Sequence, residues 1–249
     1  MIKYIFLFIS ILILSSCDLE ATKDCLKGAG NTEARNLNIS DLERIIIREN
    51  IRLEITDSDI DELTAEGGKN HLDQLEIIQN ENEFEFKVNE LCTTGFSEAP
   101  IVLKLKSSRL NYVRNSSQFE VVSTNVLKFE NLSLISEDFN DSNALNLGNF
   151  KVKVDNERVN IVGNGISDFE ISGITQLFNF MTASGSGTIL ARDLEAEAIT
   201  FSHRSFRDAI VNPGKSLKGE IRSSGNLIST KKPPLVEVEE FYTGKLIYE

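Results

Sequence analysis

From residue 42 onward, apolar and polar positions alternate along the chain. Leu42-Glu43-Arg44-Ile45-Ile46-Ile47 is followed by Asn50-Ile51-Arg52-Leu53-Glu54-Ile55, then by Phe84-Glu85-Phe86-Lys87-Val88 and Ile101-Val102-Leu103-Lys104-Leu105. A period of two puts apolar side chains on one face of a pleated strand and charged ones on the other, so each run predicts a strand. Asp57 to Leu75 is less regular. It reads either as a short helix over Ile60 to Ala65 closed by Gly67-Gly68, or as a further strand and turn.

Beyond residue 107 a longer period shows in the polar punctuation. Turn-forming clusters stand at Asn115-Ser116-Ser117, Asp138 to Asn143, Gly163-Asn164-Gly165, Ser184-Gly185-Ser186-Gly187, Ser202-His203-Arg204-Ser205, Ser223-Ser224-Gly225-Asn226 and Thr243-Gly244. The steps between Gly163, Gly185, His203, Ser224 and Gly244 are 22, 18, 21 and 20 residues. A fixed period of this size, with small residues in phase, is the mark of a solenoid whose repeats bury their apolar side only by stacking. The expectation is therefore an all-β chain of parallel coils of about 20 residues. An antiparallel sandwich is the other arrangement that recurring strands and turns permit. Pro233-Pro234 predicts a break before a final capping strand, Val236 to Phe241.

The first 16 residues follow a different pattern. Lys3 precedes an apolar run from Tyr4 to Leu14, broken only by Ser10, which ends in Leu14-Ser15-Ser16-Cys17. The run is shorter than the roughly 20 residues that span a bilayer as a helix. It resembles the signal peptide and lipobox of bacterial lipoproteins, and that resemblance implies acylation at Cys17. A secretory signal in which Cys17 is incidental is the alternative. On this reading residues 1–16 are the signal peptide, 17–35 a lipid-anchored tether and 36–249 the solenoid domain. The localisation it implies is the cell envelope, as an outer-membrane lipoprotein facing the periplasm or the surface.

Composition narrows the chemistry. The 249 residues carry 26 Lys+Arg against 38 Asp+Glu, a formal net charge of -12, with three cysteines, two histidines and no tryptophan. Such acidity opposes a nucleic-acid footprint, which needs clustered cations. It also gains nothing from an anionic lipid surface, so membrane affinity falls to acyl chains. With Cys17 assigned to lipid, Cys25 and Cys92 remain. In an oxidising compartment they form either a disulfide or two free thiols.

Ser184-Gly185-Ser186-Gly187, the repeated small-residue corners, the opening from Leu42 to Leu53 and the stretch from Ser224-Gly225-Asn226 to Thr243-Gly244-Lys245-Leu246 together resemble the putative auto-transporter adhesin, head GIN domain family. That family occurs largely in lipoproteins and exported proteins of the Bacteroidota. The resemblance covers roughly residues 36 to 249 and implies a right-handed parallel β-helix with adhesin-like, non-catalytic binding. Its implied partners are a membrane, reached through the lipid anchor, and a glycan or cell-surface protein. Ser202-His203-Arg204-Ser205, without glycine, and the acidic Asp138 to Asn143 depart from the family's corner pattern.

No cofactor or metal site is expected. His71, in an expected loop, and His203, at a corner, lack partners at ligand or triad spacing and read as exposed polar residues. No Gly-x-Ser-x-Gly elbow with triad partners is present. Asp138, Asp141, Asp155, Asp168, Asp193 and Asp208 would serve a carbohydrate-active enzyme only if two faced each other across a scissile bond. Without that they are solvated corners, and an envelope scaffold with no soluble ligand is the third reading. Arg204, Arg207, Lys215, Lys218, Arg222 and Lys231-Lys232 form a basic group in sequence, read either as a patch for an anionic ligand or as a scattered solvent face.

Overall fold

The structure is a computed structural model that describes residues 28–89, 99–141 and 144–249. Cys17, Cys25 and Cys92 lie outside the described residues, as does the pair 142–143 within the acidic corner. The described residues are all-β, with 61% in strands and almost no helix. Its elements in order are β1 (Thr32–Leu37), β2 (Arg44–Ile47), β3 (Ile51–Asp57), β4 (Glu62–Gly68), the one-turn α1 (Lys69–Leu72), β5 (Leu75–Asn80), β6 (Glu83–Val88) and β7 (Ile101–Ser107). Next come β8 (Tyr112–Asn115), β9 (Val121–Leu127), β10 (Asn131–Ser136), β11 (Phe150–Gly163), β12 (Phe169–Thr182), β13 (Ile189–His203) and β14 (Ala209–Ile221). The last three are β15 (Leu227–Ser229), β16 (Leu235–Glu240) and β17 (Leu246–Tyr248).

The long strands β11 to β14 explain the architecture. Inward residues of β11 are Phe150, Val152 and Val154, then Val159, Ile161 and Gly163, so the buried parity switches in mid-strand while Asp155, Glu157 and Arg158 face water. A switch of parity in a pleated strand means the chain turns a corner. Each long strand therefore contributes to two arms. The first arm runs β4-β7-β3-β9 and then through the leading halves of β11 to β14 to β15 and β17. The second runs β5-β6-β2-β8-β10 and then through the trailing halves to β16.

Every pairing from β8 to β17 is parallel, and the sandwich arrangement does not occur there. Phe150 pairs with Phe169 and Phe169 with Ile189; Leu190 pairs with Ile210, Ile210 with Ile228 and Ile228 with Ile247. Like residues thus stack: the Phe150 and Phe169 rings lie 4.8 Å apart and nearly parallel, and the Phe180 and Phe201 rings 5.5 Å apart. Burying each ring contributes about 2–3 kcal/mol. Four of the steps between corners before the first arm carry a side-chain rung. Asn149 Oδ1 accepts the Asp168 N–H at 2.8 Å, Asp168 Oδ1 the Thr188 N–H at 3.2 Å, Asp208 Oδ1 the Asn226 N–H at 2.8 Å and Asn226 Oδ1 the Lys245 N–H at 2.9 Å. These side chains take up donors that a corner would otherwise leave unpaired.

The N-terminal part departs from a uniform parallel stack. The stretch read as either a short helix or another strand and turn holds strand β4, and a single helical turn, the one among the described residues, follows it at Lys69–Leu72. Pairing is not parallel throughout, since β4 lies antiparallel on β7, β1 on β4 and β5 on β6. The reason is geometric: the end of a parallel stack exposes a sheet edge, and antiparallel strands cover it. Spatial order also departs from chain order, because β2 and β3 lie between the β6–β7 and β8–β9 pairs. β1 begins at Thr32, within the segment read as the tether. At the other end β16 forms beside Pro233-Pro234 as expected but is not the last strand, since β17 follows.

Candidate functional site

The parallel register of the second arm sets side chains of successive repeats in rows. On its outer face one row runs Tyr112, Ser133, Asn160, Asn179, Thr200, Lys218 and Glu237. Neighbours in the row stand about 4.8 Å apart, the strand spacing. Asn179 Nδ2 donates to Asn160 Oδ1 at 3.0 Å and Asn160 Nδ2 to Ser133 Oγ at 3.5 Å, so the side chains of three neighbouring strands are tied into one row. The adjacent row is Arg114, Ile135, Val162, Met181, Ser202 and Glu220, with Ile135, Val162 and Met181 half-buried. The face therefore has a polar centre beside a shallow apolar strip.

Both ends of this face are closed by charge. Arg44 lies over the Tyr112 ring, 3.7 Å from its centre, and pairs with Glu83 at 2.8 Å. At the far end Lys218 pairs with Glu237 at 3.0 Å. Beside the face, Arg114 donates to Glu137 Oε1 and to the Glu137 carbonyl, each at 2.6 Å, with both side chains largely buried. Arg48 binds Glu85 and Asp141; burial lowers its pKa, but the two carboxylates outweigh burial and raise it. These clamps fix the face and use groups that would otherwise be free to react.

The sequence-level candidates resolve differently. His71 and His203 are not exposed. His71 sits on α1, where the turn folds over the core with Leu72. His203, the last residue of β13, is fully buried between repeats: Nδ1 meets the Thr182 hydroxyl and Nε2 the Arg207 carbonyl, each at 3.0 Å. Burial pushes its pKa below the ordinary value, against the hydrogen bond to Arg207 and the charge of Asp208. The partners come from the preceding repeat and the following corner, so spacing alone could not reveal them.

The six aspartates are not gathered into a facing pair. Asp168 accepts from Arg207 at 2.6 Å, Asp208 serves as a ladder rung, Asp138 accepts from Asn164 at 2.6 Å and Asp141 binds Arg48, while Asp155 and Asp193 stand exposed. Among the described residues no cluster of three or more His, Cys, Asp or Glu could hold a metal. The basic group is dispersed: Arg207 pairs with Asp168, Lys215 with Glu197, Lys218 with Glu237 and Arg222 with Glu220. Among the described residues no helix is long and apolar enough to cross a membrane.

Solved structures share this architecture. A "putative adhesin" from Bacteroides fragilis NCTC 9343 superposes with a TM-score of 0.77 at 18% identity, covering 88% of this chain and 97% of that one. A "putative lipid binding protein" from Parabacteroides distasonis ATCC 8503 gives 0.62 at 17% identity, covering 89% and 98%. A "putative adhesin" from Parabacteroides merdae ATCC 43184 gives 0.60 at 17% identity, with the same coverage. At these identities the likeness concerns the fold. No curated protein sequence matches the chain. Residues 41–233, most of the stacked strands, match the family model described as "Putative auto-transporter adhesin, head GIN domain", and the chain belongs to that family.

Proposed function

We propose that this chain is a lipid-anchored, non-catalytic module of the cell envelope that binds a glycan in adhesin fashion along the outer face of its second arm. The observation that carries the reading is the row Ser133, Asn160, Asn179, Thr200, in which amides and hydroxyls recur once per repeat. A glycan chain also repeats its hydroxyls at nearly even intervals. A rigid row of matched donors and acceptors pays little ordering entropy on meeting one. The half-buried Val162 and Met181 beside the row suit the apolar face of a sugar ring. In this reading the repeats wind as a right-handed parallel β-helix with coils of about 20 residues, which the offsets between paired strands support.

The anchor belongs to the same proposal. Cys17 carries the acyl chains, the residues between it and β1 form the tether, and Cys25 and Cys92 are joined. Protein of the wild-type sequence is expected to incorporate labelled fatty acid and fractionate with membranes, and Cys17→Ala to incorporate none. Binding is tested by titrating a panel of surface polysaccharides against the wild type and Asn160→Leu/Asn179→Leu. At least a tenfold loss of affinity for one glycan with unchanged thermal stability is the expected result. Equal binding by both proteins to every glycan in the panel, or depolymerisation of one of them, would overturn the reading.

A further inference from the structure

The two ends of the sheet are finished differently. Antiparallel strands extend the N-terminal end beyond β7 and β6. At the other end, among the described residues, β17 pairs only with β15 and β16 only with β14. Each keeps one row of backbone N–H and C=O groups that no described strand pairs, a template for a further strand; in the β17 row the Leu246 N–H is held by Glu240 Oε1 at 2.9 Å, a surface side chain that a pairing strand would displace. β16 guards its edge with Glu237, Glu239 and Glu240, which would meet like charges on a strand of the same sequence.

β17 has the opposite character. Its run is Lys245-Leu246-Ile247-Tyr248-Glu249, with a cation at one end and an anion at the other. Antiparallel pairing of this run with itself about Ile247 sets Lys245 against Glu249 and Leu246 against Tyr248 on both sides of the two-fold axis. Lys245 already binds Glu240 at 2.9 Å and Glu249 already binds Arg192. An ammonium with three donors and a carboxylate with about four acceptor positions can each take a further partner.

A second observation points to the same edge. On the outer face of the first arm, Leu190, Ile210, Ile228 and Ile247 stand in register on four successive strands. An outward face is ordinarily polar in alternation with the core, and the same row is Lys151 and Glu170 in the two preceding repeats. The aliphatic stripe thus begins at Leu190 and runs to the open edge, where Ile247 is 42% exposed. Pairing about Ile247 would carry it without a break into a second copy.

We propose that the open end of the first arm is a homotypic interface, in which two copies of this chain join by antiparallel β17 pairing centred on Ile247. The two Ile247 side chains meet on the axis, the stripes become one, and the two Lys245–Glu249 contacts flank them.

Residues directly opposed in an antiparallel pair have Cα atoms about 4.5–5.5 Å apart, within the range a disulfide bridges. The test uses the full chain in its own envelope, carrying Ile247→Cys, oxidised mildly and run without reductant. The expected result is a band at twice the chain's mass, absent from the wild type and from Tyr242→Cys, a more exposed position off the axis. Adding Lys245→Glu to Ile247→Cys should reduce that band at least fivefold, and adding Glu249→Lys as well should bring it back. Dimer no stronger than in Tyr242→Cys, cross-linking to a product of another mass, or a yield unaffected by Lys245→Glu would each overturn the proposal.

Discussion

Residues 150–221 and residues 32–127 bury the same kinds of side chain by different means. In the first region each long strand lies parallel on the next, about 20 residues on, and the stack is held by backbone ladders, stacked phenylalanines and short side-chain rungs. In the second the chain leaves β3, runs to the far edge as β4 and β5, returns as β6 and β7, then crosses the β2–β3 pair to reach β8. That crossing is held by charge. Arg109, on the connection from β7 to β8, binds Asp61 at 2.6 Å and Asp41 at 3.0 Å, and Glu43 accepts from the side chain of Asn82 and the backbone of Asn111. Burial raises the Asp61 pKa, but hydrogen bonds from Arg109 and Ser107 outweigh it and hold the carboxyl below its usual range. A periodic segment positions each repeat by the one before it; an aperiodic one needs contacts between residues far apart in sequence.

That difference can be broken at its strongest point first. Phe180→Ala empties a site packed between Phe178 and Phe201, 5.4 and 5.5 Å away, and should cost about 3–5 kcal/mol in chemical denaturation. Because neighbouring repeats share the stack, hydrogen exchange should quicken in β11 and β13 as well as in β12. Faster exchange in β12 alone would contradict the one-dimensional coupling.

Gly173→Ala comes next. Its φ is +107° and a Cβ would lie 2.0 Å from the Val154 carbonyl oxygen of the previous repeat, so a loss of about 2–3 kcal/mol is expected. Gly28→Ala, at φ +57° with nothing within 4 Å, should lose only about 1 kcal/mol. Equal losses would mean that close stacking is not what the glycine serves.

In the aperiodic region Arg114→Ala leaves the buried Glu137 carboxylate without its cation and should cost about 2–3 kcal/mol. Arg109→Ala removes an exposed clamp, so its effect should appear as faster exchange at residues 108–111 with little change in overall stability.

The smallest effect is a pH slope from the periodic region. His203 has a folded pKa below its ordinary value of 6.5, so the unfolded chain takes up the proton first as pH falls. Its contribution is whole above about pH 6.5 and diminishes as pH drops from there toward the folded pKa. The depressed carboxylates, such as Asp61 and Glu240, start from ordinary values of 3.8 and 4.5 and act only lower. Thermal melts between pH 7 and 5 should show a decline that His203→Gln removes.

Much of this fold was legible in the chain. The alternation at Leu42 to Ile47, Ile51 to Ile55, Phe84 to Val88 and Ile101 to Leu105 corresponds to β2, β3, β6 and β7, because period-two burial is a local property. Gly163, Gly185, His203, Ser224 and Gly244 fall at strand ends or in turns, and the gaps between them contain β12, β13, β14 and then β15 with β16. The candidate site was less legible. Ser133, Asn160, Asn179 and Thr200 lie in four different strands and look like ordinary outward residues until parallel pairing puts them side by side.

By itself, then, the sequence determined the all-β strand character and the places of several turns, since pleat parity and turn conformation act over a few residues. Tertiary structure alone decided that β2 and β3 sit inside the stack, that β4 and β5 reverse to cover one end, and that His203 is buried rather than exposed. Those outcomes depend on which edges meet, and edge pairing is governed by the area buried and the hydrogen bonds closed between segments with no fixed separation along the chain.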